Sequence, residues 1–104
     1  MNEQIQYIGV ADLSPEEQAT VQKISAEYQT KFQARMHDLE GITVHVKTHS
    51  HQSSKKRYAV HARLHLPSRT IIESCTGDDW NLTTAMHKSW EDVVHQVQHR
   101  FKIG

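Results

Sequence analysis

The chain has one cysteine, Cys75, among its 104 residues, so it can form no disulfide within itself, and a reducing compartment is the expected setting. Long apolar runs are missing as well: nothing approaches the roughly 20 residues that span a bilayer. Met1 to Tyr7 has no basic segment followed by an apolar one, so no secretory signal is expected. A glycine-rich phosphate loop, a nucleophile elbow and the HExxH zinc pattern are all lacking. Asp78-Asp79 is a pair of adjacent acids, but at that place, ahead of a helix, capping and the helix dipole explain them. These absences point to a cytoplasmic protein, without a membrane or DNA partner, that is not an enzyme and needs no cofactor.

Apolar residues are few, 37% of the chain with a mean hydropathy of −0.68. They nevertheless recur at regular spacings, as in a folded chain of one domain over residues 1–104. The formal net charge is zero, which taken alone argues against nucleic acid. That zero averages an uneven chain. Residues 1–40 sum to −4, residues 41–72 to +6 and residues 73–104 to −2. The middle stretch holds Lys47, Lys55, Lys56, Arg57, Arg63 and Arg69, no acid, and five of the nine histidines. Charge segregated in this way can steer an anion even at zero total.

Ser14-Pro15-Glu16-Glu17 reads as a capping box, with Ser at N-cap, Pro at N1 and Glu at N3. Val21, Ile24, Tyr28, Phe32, Met36 and Leu39 then repeat at helical steps, and Gly41 is the expected stop. Ile5 and Tyr7, with Ile8 and Val10 as further candidates, suggest a short strand ahead of this helix. From Gly41 the period becomes two: Ile42, Val44 and Val46 alternate with Thr43, His45 and Lys47. A polar loop from Ser50 to Arg57 follows. Tyr58, Val60, Ala62, Leu64 and Leu66 then alternate with Ala59, His61, Arg63 and His65. Pro67-Ser68 reads as a turn, Thr70 to Cys75 as another strand, and Gly77-Asp78-Asp79 as a break. A second helix starts near Asp79 or Asn81, with Leu82, Met86, Trp90, Val93, Val97 and Phe101 on one side. The expected class is α+β in the order β-α-β-β-β-α. Two helices would cover one face of a four-stranded sheet, as in double-stranded RNA-binding domains, and leave the other face open.

With Ile42, Val44 and Val46 inward, His45, Lys47 and His49 must point outward, as must His61, Arg63 and His65. Like charges placed across a strand pair are unfavourable unless an anion lies over them, and phosphates supply one. The alternative is a solvated face that only maintains solubility. Convergence of His45, His61 and His65 would make a metal site, since imidazole suits zinc, nickel or copper. The same histidines would also add charge on acidification. Trp80 and Trp90 are assigned to packing rather than to base stacking.

Three stretches carry a resemblance to a known family. These are Leu13-Ser14-Pro15 opening the first helix, the alternating Tyr58-Ala59-Val60-His61-Ala62-Arg63-Leu64, and Asp79-Trp80-Asn81-Leu82-Thr83-Thr84-Ala85-Met86 opening the second. In order and spacing, over roughly residues 5 to 102, the chain resembles the ribosome hibernation-promoting factors, which include the ribosome-associated translation inhibitors. The resemblance implies a βαβββα domain that binds small-subunit ribosomal RNA in the channel of messenger and transfer RNA and silences idle ribosomes. The C-terminal domain by which longer members pair ribosomes is not expected, and the chain would be a monomer or weak dimer. The outer face of the second helix departs from the family's basic pattern, with Glu91 and Asp92 among His87, Lys88, His95, His99, Arg100 and Lys102. Asn81 stands where the family has Asp.

The candidate RNA-binding residues are Lys47, Lys55, Lys56, Arg57, His61, Arg63, His65, Arg69, Lys88, Arg100 and Lys102. Two other functions compete. One is a general structured-RNA-binding domain; the other is a metal- or protein-interaction module that has lost ribosome binding.

Overall fold

In the computed structural model, which describes residues 5–50, 56–74 and 77–101, the first helix, α1 (Pro15–Arg35), begins as its sequence requires. Ser14 Oγ accepts from the Glu17 N–H at 3.2 Å, and Glu17 Oε1 accepts from the Ser14 N–H at 3.0 Å. Two otherwise orphaned donors are thereby satisfied. The helix ends earlier than the periodicity suggests. Met36 leaves it with an extended backbone, its N–H still bonded to the Phe32 carbonyl at 2.7 Å. Met36 and Leu39 remain buried, but they reach the core from the turn that brings the chain back to the sheet.

The strands are β1 (Ile5–Ile8), β2 (Gly41–Ser50), β3 (Lys56–Leu66), β4 (Thr70–Glu73) and β5 (Asp78–Asp79), and the second helix is α2 (Leu82–Phe101). The sheet runs β1-β2-β3-β4, with β1 parallel to β2 and the other pairs antiparallel. This is the expected α+β class, with one addition. The predicted break at Gly77-Asp78-Asp79 contains a two-residue strand, and β5 pairs with β3 at Tyr58 and Ala59. Strands β4 and β5 thus share one edge of β3, interrupted where the Val60 N–H donates to the Gly77 carbonyl at 3.0 Å. A Cβ on Gly77 would lie 2.2 Å from the Val60 oxygen, so this approach requires glycine.

Both helices lie on one face of the sheet. Val21, Ile24, Tyr28 and Phe32 of α1 and Met86, Trp90, Val93 and Val97 of α2 join Ile42, Val44, Val46, Val60, Ala62, Leu64 and Ile72 in a single core. Trp90, fully buried, stacks on Tyr28 at 5.7 Å between centroids and tilts against Phe32 at 5.8 Å, an arrangement that adds to simple area burial. Ser89 Oγ donates to Ser74 Oγ at 2.8 Å, and Ser74 Oγ accepts from the Ala62 N–H at 3.0 Å, so these two buried hydroxyls beneath α2 are paired. Among the described residues no helix is long and apolar enough to cross a membrane.

Candidate nucleic-acid interface

The register of β2 on β3 decides where the polar side chains go. Ile42 pairs with Leu64, Val44 with Ala62 and Val46 with Val60, and all six are buried under the helices. Alternation then places Thr43 with Arg63, His45 with His61, Lys47 with Ala59 and His49 with Arg57 on the opposite face. Ile8 joins the His45–His61 row from β1, and Glu73 joins the Arg63 row from β4. The predicted outward set is therefore gathered on one surface. The His45 and His61 rings lie 6.2 Å apart, and His65 Nε2 is 2.8 Å from Thr43 Oγ1.

The acid-free stretch does not make an acid-free face. Arg63 Nε lies 2.6 Å from Glu73 Oε2, and Arg57 lies 3.6 Å from Asp78. Residues 41–72 contain no acid, but β4 and β5 bring Glu73 and Asp78 back onto the same surface, opposite Arg63 and Ala59. Three cations against two carboxylates leave this face at +1 with neutral histidines, and at +5 with His45, His49, His61 and His65 protonated. Among the described residues Lys47 is the cation of this face that has no carboxylate partner. Both arginine pairs are open to water, with 43% and 44% side-chain exposure for Arg63 and Glu73. Pairs this exposed contribute only about 0–1 kcal/mol and exchange readily.

Burial, followed by the charges of Lys47, His61 and Arg63, holds His45 below the ordinary imidazole value. An anion over the face would reverse the electrostatic part of that effect. His45, His61 and His65 do not converge. His65 is turned to Thr43, and among the described residues no three His, Cys, Asp or Glu side chains come together as metal ligands.

The remaining candidates are scattered. Lys56 alternates to the helix side, where its charge acts on Glu17. Arg69 lies at the tip of the β3–β4 turn, with Ser68 and Arg69 both at positive φ (65° and 61°). Lys88 is held by Asp79 Oδ2 at 2.9 Å and by the Asp78 carbonyl at 3.2 Å. Lys55, Lys102, Cys75 and the side chains of Arg100 and Phe101 lie outside the described residues.

Two features escaped the sequence. Tyr28 Oη donates to Glu91 Oε2 at 2.6 Å and lies 2.9 Å from His87 Nδ1. The hydroxyl has one proton, so His87 must donate through Nδ1 to complete the set. Burial and the Glu91 carboxylate raise the Tyr28 hydroxyl well above the phenolic range, and the cluster ties α1 to α2. The second feature is Trp80, which packing was expected to claim but which is 52% exposed. Asn81 Oδ1 accepts from the Thr84 N–H at 3.0 Å, so the helix starts after Trp80 and its apolar stripe does not include the indole.

No family model matches the chain, and no curated protein matches it either.

Proposed function

We propose that this chain is a non-catalytic RNA-binding module that docks on the small ribosomal subunit through the open face of its sheet, occupies the channel of messenger and transfer RNA, and so keeps idle ribosomes silent. One observation carries the binding part. With both helices on one side, Lys47, Arg57 and Arg63 share the other side with His45, His49, His61 and His65. The ribosomal target rests on the whole-chain resemblance to hibernation-promoting factors, from Leu13-Ser14-Pro15 to the Asp79–Met86 stretch. Phosphates exchange for Glu73 and Asp78 at low cost because both ion pairs are exposed.

Cosedimentation of the folded protein with small subunits at low and moderate salt tests this. Binding that weakens as salt rises supports it, whereas no binding at low salt removes it. A second reading, a protein-interaction module, is favoured by the carboxylates that accompany Arg57 and Arg63. It predicts that small subunits and duplex RNA are ignored at every salt concentration.

A further inference from the structure

The turn between β5 and α2 displays an aromatic ring that the phosphate contacts do not use. Trp80 is 52% exposed, while the other tryptophan, Trp90, is fully buried. The backbone that carries the ring is hydrogen-bonded on both sides. Asp78 and Asp79 are paired to β3, Asp79 Oδ1 accepts from the Asn81 N–H at 2.9 Å, and Asn81 caps α2. The Arg57 guanidinium lies 5.8 Å from the centre of the indole. Lys88 is fastened to the two residues before it, Asp78 and Asp79. About half of the indole is open to water, the Arg57 guanidinium sits over its ring, and Lys88 is bonded to the residue before it.

We propose that Trp80 is a stacking platform for an unpaired RNA base, with Arg57 and Lys88 taking the phosphates on either side of that nucleotide. The proposal deepens the RNA-binding reading and rests on it. Bases in a duplex are already stacked, so the platform selects single-stranded, looped or bulged RNA. Every base has a π-face, so the contact tolerates sequence. The Arg57–Asp78 pair, at 3.6 Å with side chains 46% and 55% exposed, opens cheaply for a phosphate. Arg57 thus links the two surfaces: its strand position belongs to the sheet face, and its guanidinium sits beside the indole.

The test compares octaadenylate with an abasic ribose-phosphate octamer of equal charge at low salt, reading affinity for every variant from the anisotropy of an end-labelled octamer and stacking in the wild type from tryptophan fluorescence. Because Trp90 is sealed in the core, a base stacking on the protein reports through Trp80. Octaadenylate is expected to quench emission and to bind about fivefold or more tighter than the abasic octamer. Trp80→Ala is expected to lose about five- to tenfold for octaadenylate and nothing for the abasic octamer, while Trp80→Phe keeps most of the difference. Equal binding of the two octamers without quenching overturns the platform and leaves the sheet-face reading standing. Binding of neither octamer overturns it too, and cosedimentation with small subunits then decides the sheet face separately. Quenching by octaadenylate without subunit binding supports the platform and removes the ribosomal target. Should Trp80→Ala fail to fold, the wild-type octamer comparison and Trp80→Phe still decide the question.

Discussion

Glu73 stands between Arg63 and any incoming phosphate, so neutralising it should strengthen RNA binding. In Glu73→Gln the amide keeps the shape of the side chain and removes its charge. A phosphate reaching Arg63 in the wild type must first displace a carboxylate held at 2.6 Å. That exposed pair is worth about 0.2–1 kcal/mol. The displaced carboxylate, still about 7 Å from the phosphate, then repels it by about 0.6 kcal/mol at the dielectric constant of water. Together these terms make about 1 kcal/mol, or roughly fivefold tighter binding at low salt. Binding by both proteins should weaken as salt rises, because the same phosphates are neutralised in each. The fold should lose less than about 1 kcal/mol. The assay is a titration of small subunits with labelled protein at low and moderate salt, alongside a thermal melt. Unchanged or weaker binding by the folded variant would refute the reasoning and leave Arg63 as a clasp between β3 and β4.

Four further outcomes follow from the charges and the backbone geometry. Tyr58 and the Ser14 backbone hold Glu17 below the usual carboxylate range, so its stabilising effect is present above its unfolded value and is lost as pH falls through the lower folded one. Thermal melts in acid should show that loss, and Glu17→Gln should flatten it. His45 also has a lowered folded value, so its stabilising effect is full above the ordinary imidazole range and declines as pH drops through it; His45→Gln should lessen the decline measured between pH 7.5 and 5.5. Replacing Ser68-Arg69 by Asn-Gly should raise stability by about 1–2 kcal/mol, because both residues are held at positive φ. The same variant should leave RNA binding unchanged if Arg69 is no contact, and a melt with a binding titration reads both. Gly77→Ala should cost about 2–3 kcal/mol, since the new methyl would meet the Val60 carbonyl; a denaturant titration showing under 0.5 kcal/mol would contradict the close approach.

The elements were legible where local chemistry and periodicity agree. Ser14, Pro15 and Glu17 specify the start of α1 within four residues, and the alternation of Ile42 to Lys47 with Tyr58 to Leu66 sets the two faces of the hairpin. What could not be read depends on residues distant in the chain. The acid-free stretch looked unopposed because Glu73 and Asp78 meet Arg63 and Arg57 only once β4 and β5 fold back on β3. Trp80 lies two residues ahead of the α2 stripe, and its exposure follows from where Asn81 caps the helix. The Tyr28, His87 and Glu91 cluster joins side chains 59 and 63 positions apart in the chain, beyond any local pattern.

The decisive experiment reverses charge on the sheet face. Lys47→Glu combined with Arg63→Glu changes two residues on neighbouring strands of the same surface and leaves the core untouched. With helical circular dichroism at the wild-type level, cosedimentation with small ribosomal subunits at low salt should disappear. Retention of wild-type cosedimentation by the folded double variant would show that RNA is not met through the open sheet.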